Sequence, residues 1–511
     1  MARFIFKLIF SGITIPNKLN FKVMIMAQNL SNCYISILRT IKIIISSNLI
    51  YFSILDKRNK PKAMSKINEI LDSPNENIPL DDKKIINGWA MFDWANSAYA
   101  LVITAAIFPA YFNGVTNTYD PETGNLISKN VTFLGMTLKN STLFSYSISF
   151  GYLLIAAALP LLTGVADYAG RKMYFMKRFT FLGSMACLSL FFFTGPENLW
   201  LGVGGFILAL IGFAGGQVFY NSYLPVIASE KNLDSVSAKG FSYGYIGSVI
   251  LLVVNLAMIT FHESLGLEKQ FATQIAFLTV GFWWIGFAQF SFNRLPKDIP
   301  RPVTKGVLKK GYQELQHVFG ILKTLPNTKR FLMAYFFYIS GVMTVMMLAT
   351  IFAEDELNMD TNKLIITVLL IQLVAIAGAQ FFSRLSGWKG NKFSLLVMLF
   401  IWIGICLAAY VTQDENQFFV LAGVVGLVMG GIQSLSRSTY SKLLPRNTTD
   451  TASFFSFFDV LEKTGIVLGT FLFGYIGESF GLRYSVLFLI IYFVIGIGIL
   501  LTVKVETPKE M

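Results

Sequence analysis

Residues 89–112 read WAMFDWANSAYALVITAAIFPAYF, an apolar stretch that carries one charged side chain, Asp93. An α-helix rises about 1.5 Å per residue, so a stretch of this length can cross a hydrocarbon core of ~30 Å. The sequence therefore predicts that residues 89–112 form a transmembrane helix.

Asp93 is the unusual residue of this predicted helix. At about 100° per residue, Asn96 and Ser97 fall on the same face as Asp93. A carboxylate at membrane depth is costly, and such groups usually face a protein interior or a water-filled pathway for substrate or ions. The alternative is a structural role, in which Asp93 complements the positive end of the helix dipole or pairs with a basic residue on a neighbouring helix.

The composition is that of a polytopic membrane protein. Of the 511 residues, 54 % are hydrophobic and 14 % are charged, and the mean hydropathy is +0.58, well above that of an ordinary soluble domain. Cys33, Cys187 and Cys406 lie far apart in the chain, which predicts neither a disulfide framework nor a Cys-based metal site. The two histidines, His262 and His317, lie 55 positions apart and outside the predicted spans. We therefore expect no metal centre and no cofactor.

The net charge of +13 is concentrated at the N terminus. Residues 1–63 hold ten Lys and Arg against one acid, so the excess is a property of this tail and does not indicate a nucleic-acid-binding protein. Its apolar run is interrupted by Arg39 and Lys42, and no cleavage site follows. We favour an upstream-extended gene model in which the working protein begins at Met64, with an extra helix or an interfacial tail as alternatives. Residues 64–88 then form a cytoplasmic lead-in.

Hydropathy predicts twelve membrane spans from Trp89 onward. In chain order they are residues 89–112, 143–163, 179–194, 199–224, 240–261, 271–293, 331–353, 363–383, 392–411, 417–437, 452–476 and 482–503. Loops after even-numbered spans hold 21 Lys and Arg, whereas loops after odd-numbered spans hold about five. The positive-inside rule then places both termini, including the tail 504–511, in the cytoplasm.

The longest basic segment, residues 294–330, divides the spans into two halves of six, residues 89–293 and 331–503. Apolar residues in this segment recur with helical spacing on one face: Leu308, Tyr312, Leu315, Phe319 and Leu322. This pattern predicts an amphipathic helix that lies on the inner leaflet. A binding site for a regulatory partner is the alternative.

The loop after the second span, residues 163–173, reads TGVADYAGRKM. Its acid, Asp167, followed by Gly170 and the basic pair Arg171 and Lys172, resembles the loop motif of the major facilitator superfamily. In that superfamily the acid and the basic pair latch the cytoplasmic ends of helices in one conformational state. The resemblance implies the same role for these four residues.

The corresponding segment of the second half, residues 383–392, reads SRLSGWKGNK. It has Gly387 at the position of the acid, so the resemblance implies an asymmetric latch. The first copy also departs from the motif, because Thr163 aligns with the leading Gly and Tyr168 replaces the usual Arg.

Four further stretches narrow the resemblance. They are residues 91–112, VFYNSYLPVIA (218–228) with SVSAKGFSYGYIGS (235–248), GGIQSLSRSTYSKLLP (430–445) and FFSFFDVLEKTGIVLG (454–469). They resemble the vacuole-effluxer family of that superfamily, which comprises autophagy-related amino-acid effluxers of fungi and a bacterial branch. The match runs in order from Trp89 to about Val503, with departures at Ser340 and Glu462.

The resemblance implies an all-α membrane protein of twelve transmembrane helices in two pseudo-symmetric halves, with spans 1, 4, 7 and 10 around a central cavity. The candidate substrate or coupling-ion residues on these spans are Asp93, Asn96, Ser97, Gln217, Tyr220, Asn221, Tyr338, Gln433 and Arg437. Span 1 runs outward and spans 4 and 10 run inward, so Asp93, Asn221 and Arg437 all fall near the cytoplasmic side. We expect Asp93 and Arg437 to form a gate that closes and opens, because opposite charges cost less together than apart at that depth.

Two further candidates, Asp459 and Lys463, lie four residues apart on span 11 and face the same side of a helix. Mutual neutralisation without a transport role is the simpler alternative for this pair. The glycines of residues 201–216 resemble phosphate-loop spacing, but no Lys-Ser or Lys-Thr follows them, so close helix packing explains them better.

These features predict a secondary active carrier working by alternating access. We expect no enzyme, because HExxH, GxSxG and Walker-type motifs are missing from the sequence. The resemblance implies amino acids or similar small polar solutes as substrates, with export favoured and a proton as a further candidate partner. The expected location is the lipid bilayer of a bacterial inner membrane. A receptor or scaffold that keeps the fold without transporting is the main alternative, and a lipid-moving activity is a weaker one.

Overall fold

The structure, a computed structural model, describes residues 78–120, 122–301, 306–445 and 448–505. The expectations for residues 1–63, and for most of the lead-in 64–88, lie outside the described residues. Within the described part, twelve helices are long and apolar enough to cross a membrane, which confirms the predicted number of spans.

The membrane helices, all but the last of which are longer than the predicted spans, are numbered α1 to α12 in chain order. They are α1 (Lys83–Ala98, continued by Tyr99–Ile107 and Phe108–Thr116), α2 (Asn140–Ala169), α3 (Lys172–Ser189), α4 (Leu199–Ile227), α5 (Leu233–Thr260), α6 (Lys269–Arg294), α7 (Pro326–Leu357), α8 (Thr361–Lys389), α9 (Asn391–Val411), α10 (Glu415–Lys442), α11 (Thr451–Phe480) and α12 (Leu482–Leu501). An additional helix, Val307–Thr324, lies between α6 and α7 and is called the linker helix.

Two short hairpins follow α1. They pair β1 (Thr118–Tyr119) with β2 (Leu126–Ser128), and β3 (Asn130–Phe133) with β4 (Met136–Lys139). The end of the bundle that carries β1–β4 is called the hairpin end, and the end that carries the linker helix and the α2–α3 turn is called the linker end.

The middle of α1 is a π-helix, Tyr99–Ile107, in which the amide of Phe108 bonds the carbonyl of Ile103. Pro109 explains this widening, because a proline has no amide hydrogen and its ring clashes with the carbonyl four residues earlier in a regular α-helix. At the start of α1, the carboxylate of Asp82 caps the helix by accepting from the amides of Lys84 (2.7 Å) and Ile85 (3.0 Å).

The two six-helix halves repeat the same packing scheme. In the first half α1 packs on α5 and α6, and α2 packs on α4; in the second half α7 packs on α11 and α12, and α8 packs on α10. The halves meet along two related seams, α2 against α11 and α5 against α8. The all-α fold in two pseudo-symmetric halves, predicted from the sequence, is confirmed.

Glycines allow α8 and α10 to pack backbone against backbone. A Cβ atom at Gly378 of α8 would collide with the carbonyl of Leu427, and one at Gly430 of α10 would collide with the carbonyl of Ala375. Close contact through small residues is a common way for membrane helices to associate.

Gly430→Ala is therefore expected to lower the melting temperature of the purified protein. The added methyl group must push two backbones apart, at a cost of roughly 1–3 kcal/mol. The matched control is Gly423→Ala on the same helix, where nothing lies within 4 Å of the added carbon. Equal melting temperatures for the two variants would show that α8 and α10 do not pack this closely.

The linker helix packs on α2 through a pair of glycines. A Cβ atom on Gly311 or on Gly164 would collide with the backbone of the opposite helix, and Val318, two turns after Gly311 on the linker helix, is fully buried. Tyr312 and Phe319, from the stripe expected to face the membrane, are 53 % and 47 % exposed. The apolar arc of this helix is thus shared between α2 and the surroundings of the bundle.

Candidate functional site

Arg437 of α10 is the centre of a polar network at the linker end. Its Nε and Nη2 donate to the side-chain Oγ (3.0 Å) and backbone carbonyl (2.8 Å) of Ser237 on α5, and its Nη1 donates to Asn221 Oδ1 (2.9 Å) on α4. The side chain is only 2 % exposed. Charge-assisted hydrogen bonds of this kind are strong in a dry interior, so one residue of the second half holds two helices of the first.

Asp93 of α1 faces Arg437 across the boundary between the halves. Its Oδ2 lies 3.9 Å from Arg437 Nη1, which is an ion pair without a direct hydrogen bond. Ser97 Oγ (2.7 Å) and Tyr220 OH (3.2 Å) donate to the carboxylate instead. When the halves separate, Asp93 keeps these two donors because both lie in its own half, whereas Arg437 loses Ser237 and Asn221 together with Asp93.

Aromatic rings enclose the guanidinium. The Arg437 Cζ atom lies 4.2 Å from the ring centroid of Phe241, 4.8 Å from that of Trp89 and 5.2 Å from that of Tyr220. Trp89 and Tyr220 stack on each other with centroids 4.4 Å apart. Cation–π attraction adds to the hydrogen bonds, and the rings exclude water from the ion pair.

Glycines on α5 make room for this arrangement. A Cβ atom at Gly240 would collide with Tyr220 and Trp89, and one at Gly244 would lie 2.7 Å from Ser97 Oγ and 3.1 Å from Asp93 Cγ. The run SAKGFSYGYIG therefore lets α5 approach the Asp93 face of α1 closely.

The other candidates on the central helices form separate contacts. Asn96 donates to Gln217 Oε1 (2.8 Å) within the first half, and Gln433 accepts from Tyr245 OH (2.8 Å) across the halves. Tyr338 bonds Ser436 on α10 (2.7 Å) within the second half. The structure thus brings Asp93, Ser97, Tyr220, Asn221 and Arg437 together and leaves Asn96, Gln217, Tyr338 and Gln433 in neighbouring pairs.

The α2–α3 turn connects to the start of α11 at the linker end. Asp167 accepts from the backbone amide of Ser453 (2.6 Å) and lies 3.3 Å from Lys172 Nζ. Lys172 in turn donates to the carbonyl of Thr449 (2.7 Å) and to Thr451 Oγ1 (2.6 Å). The acid and the lysine of the sequence motif therefore both bond the first turn of the same helix in the opposite half.

Gly170 and Arg171 shape this turn. Gly170 ends α2 with φ of 60°, in the left-handed region, and a Cβ atom there would collide with the carbonyl of Ile299. Arg171 occupies the cap position of α3. The carboxylate of Asp298 accepts from the amides of Met173 (2.8 Å) and Tyr174 (3.0 Å), while burial raises the pKa of Asp298 against these donors.

An acid that sequence reasoning missed occupies the related seam. Asp234, in the first turn of α5, accepts from Ser386 Oγ (2.8 Å), Asn391 Nδ2 (2.8 Å) and Lys442 Nζ (2.7 Å) of the second half. Ser386 and Asn391 belong to the second loop copy, which has Gly387 in place of its acid. The carboxylate is therefore present at this seam, but it is supplied by the facing half. The pseudo-symmetry of the fold was the signal that could have indicated it, because α5 meets α8 as α11 meets α2.

The pair predicted on α11 is part of a cluster of three charged residues. Lys463 Nζ lies 2.9 Å from Asp459 Oδ1 and 2.7 Å from Glu462 Oε1. Tyr335 of α7 donates to Glu462 Oε2 (2.8 Å). By sequence Glu462 is only a departure from the family pattern, whereas its partners in the structure make it a member of the cluster.

One group of side chains that could together bind a metal ion occurs in the described part of the chain. Glu314 and His317 of the linker helix and Asp450 before α11 bring one ligand atom each within 4.8 Å of one another. Burial raises the pKa of Glu314, and the negative charge of Asp450 acts in the same direction. The expectation of no metal centre stays a prediction.

Two six-helix halves packed by one scheme, and joined at one end by hydrogen bonds and ion pairs, define a transporter of the major facilitator class. The family model described as "Vacuole effluxer Atg22 like" matches residues 81–234 and 230–510. The chain belongs to this family, which confirms the resemblance found in the sequence.

Known relatives agree with this assignment. The chain is 31 % identical over 440 residues to the uncharacterized MFS-type transporter YxiO of Bacillus subtilis, covering 83 % of this chain and 96 % of that protein. It is 25 % identical over 491 residues to autophagy-related protein 22 of Vanderwaltozyma polyspora, covering 84 % and 92 %.

Solved structures show the same fold at low identity. The fucose:proton symporter FucP of E. coli matches with a TM-score of 0.60 at 12 % identity, over 83 % of this chain and 98 % of that one. The human organic anion transporter MFSD10 matches with a TM-score of 0.61 at 11 % identity, over 82 % and 99 %.

Proposed function

We propose that the protein is a secondary active carrier that moves small polar solutes of the amino-acid type across the membrane by alternating access, with efflux favoured. The observation that carries this proposal is the buried pair of Asp93 and Arg437, which lies between the halves and is surrounded by separable hydrogen bonds. A purely structural scaffold has no need of a costly ion pair at a boundary that never opens.

The linker end acts as a gate in this proposal. Hydrogen bonds between the halves cluster there in the described residues: Lys172 with Thr449 and Thr451, Asp167 with Ser453, Asp234 with Ser386, Asn391 and Lys442, Arg437 with Asn221 and Ser237, Ser237 with Ser434, and Ser242 with Gln380. Breaking them would let the halves part at this end. Closing them would favour access from the hairpin end.

Orientation follows from the charge distribution. The loops at the linker end carry the excess of Lys and Arg, so the positive-inside rule makes this end, and both termini, cytoplasmic. A bacterial inner membrane fits the bacterial relative. The exposed side chains of the linker helix, Tyr312 and Phe319, would then contact the headgroup region of the inner leaflet.

The substrate class rests on the family. The family model carries the description of a vacuole effluxer, and the polar pairs Asn96–Gln217 and Tyr245–Gln433 offer amide and hydroxyl groups suited to a zwitterionic solute. These pairs lie beyond Asp93 toward the hairpin end. A substrate bound there would be sealed from the cytoplasm by the Asp93–Arg437 gate.

Transport by purified protein in liposomes tests the proposal. A panel of radiolabelled amino acids is assayed for uptake and efflux, with and without a pH gradient. At least one should show saturable counterflow, and Asp93→Asn should make solute exchange leaky, because the gate no longer closes tightly. Glu478→Gln, an exposed acid on α11, is the control and should transport normally. A receptor or scaffold would show no counterflow with any member of the panel.

The carboxylates at the two seams, Asp167 and Asp234, are expected to affect the balance between the open and closed states more than Gly387 does. Asp167→Asn and Asp234→Asn should each favour the state that is open at the linker end, because each removes a carboxylate that bonds the opposite half. Gly387→Ala should have little effect, since nothing lies within 4 Å of the added carbon. Labelling of a single cysteine introduced at the linker end reports the balance. An effect of Asp234→Asn as small as that of Gly387→Ala would remove the second carboxylate from the latch.

A further inference from the structure

The charged cluster on α11 consists of Asp459, Glu462 and Lys463, and its net charge with all three groups ionised is −1. Asp459 and Lys463 have side chains 2 % and 4 % exposed, and Glu462 is 21 % exposed. Two carboxylates therefore share a single ammonium group inside a membrane helix, whereas the Asp93–Arg437 site contains one charge of each sign. An uncompensated charge at this depth is costly, so the cluster requires a further positive charge.

The hydrogen bonds show where that charge can bind. Both oxygens of Glu462 are bonded, Oε1 by Lys463 and Oε2 by the hydroxyl of Tyr335. Asp459 Oδ1 faces Lys463, but Asp459 Oδ2 is buried and has no hydrogen-bond partner. A buried carboxylate oxygen without a donor costs free energy that a bound proton would recover.

The groups that face the cluster from the packed helices supply no second cation. Tyr152 of α2, whose ring centroid lies 5.9 Å from Lys463 Nζ, and Tyr335 and Tyr338 of α7 are the titratable neighbours in the described residues. The elements α4, α12 and the linker helix also pack on α11, and no charged side chain from their described residues is among the contacts of the three acidic and basic groups.

We propose that Asp459 and Glu462 form a binding site for one exchangeable proton. The proton occupies the pair through Asp459 Oδ2, and partly exposed Glu462 connects the pair to solvent. A sodium ion needs several oxygen ligands, whereas two of the three other oxygens already face Lys463 and the last accepts from Tyr335. This inference rests on the proposed transport function and assigns its coupling ion.

The position of the site explains how proton binding could follow the transport cycle. Lys463 contacts Tyr152 across the α2–α11 seam, one of the two boundaries along which the halves move in alternating access. Opening of that seam changes the solvent access of the carboxylates. The proton is then taken up in one state and released in the other.

Thermal unfolding of the full chain in detergent tests the site without a substrate. Melting temperatures are measured from pH 5.5 to 8.5 in choline chloride and again in sodium chloride. In the wild type, a bound proton stabilises the native state, so the melting temperature should rise by several degrees as the pH falls. Glu462→Gln removes the excess charge, so it should melt higher than the wild type at pH 8.5 and show a weaker rise on acidification.

Glu478→Gln, the exposed acid on the same helix, should keep the wild-type pH dependence. Asp459→Asn provides an independent variant should Glu462→Gln fail to fold, and it should also flatten the profile. Profiles of both cluster variants parallel to that of the wild type would overturn the proton site. A stabilisation by sodium at pH 8.5 that disappears in Glu462→Gln would also overturn it, in favour of a metal cation.

The liposome assay separates this inference from the proposed function. If the wild type gives counterflow and its dependence on a pH gradient survives in Glu462→Gln, the proton site is wrong and the transport function stands. If no amino acid is transported while the pH profiles differ as expected, the proposed function is wrong and the proton site stands.

Discussion

Arg437→Gln is expected to lower the stability of the protein by roughly 2–5 kcal/mol, because it leaves one partner of a buried ion pair uncompensated inside the membrane. The substitution leaves Asp93 charged and 2 % exposed, and it removes three hydrogen bonds that connect the halves. Asp93→Asn should cost less, because Arg437 keeps Ser237, Asn221 and its aromatic neighbours.

The double variant distinguishes an ion pair from two independent charges. With both groups neutral, no uncompensated charge remains, so much of the stability should return. Tight closure should not return, since the attraction across the boundary is gone, and solute exchange should become leaky. Arg384→Gln, an exposed arginine on α8, is the control and should change neither property.

A double-mutant cycle on melting temperature and on counterflow makes this measurement. Additive losses would mean that Asp93 and Arg437 do not interact. Asp93 would then either complement the helix dipole or bind the substrate directly. Loss of pH-gradient dependence in Asp93→Asn with exchange intact would assign the proton to Asp93 and not to α11.

Lys463→Met is expected to be at least as damaging. It removes the single ammonium group between Asp459 and Glu462, so two carboxylates remain side by side inside the membrane, at a cost of about 3–5 kcal/mol. The loss should be smaller at pH 5.5 than at pH 8.5, because proton binding reduces the remaining negative charge.

Combining Lys463→Met with Glu462→Gln should recover part of the loss, since only Asp459 is then uncompensated. Melting temperatures of the single and double variants across the same pH range measure this effect. A Lys463→Met protein as stable as the wild type at every pH would show that the carboxylates reach solvent and that the cluster is not buried.

The number of membrane helices and the proximity of Asp93 and Arg437 could be predicted from the sequence, because they depend on hydropathy and on the cost of burying charge. Twelve apolar runs fix twelve helices, since only helices satisfy backbone hydrogen bonds in lipid. The proximity of Asp93 and Arg437 followed from their depth along antiparallel spans, because charges at the same depth near a common axis tend to meet.

Contacts between distant helices explain what could not be predicted. Asp234 lies in the first turn of α5, where an acid is ordinary, and only the packing of α5 on α8 reveals its three partners. The π-helical segment Tyr99–Ile107 depends on the strain that Pro109 introduces, and a hydropathy profile does not distinguish a π-helix from an α-helix. Glu462 could be placed beside Lys463 by sequence, but its bond to Tyr335 required the fold.

The central claim is that transport requires the linker end to open, and a reversible cross-link tests it most directly. Ser242 and Gln380 bond each other across the α5–α8 seam (2.9 Å). Both are replaced by Cys in a chain whose own Cys33, Cys187 and Cys406 are changed to Ser, and counterflow of a transported amino acid is measured in liposomes. If opening is required, joining the two thiols with a short, reducible bifunctional thiol reagent reduces counterflow to background, and a reducing agent restores it. Undiminished counterflow by fully cross-linked protein would contradict the account.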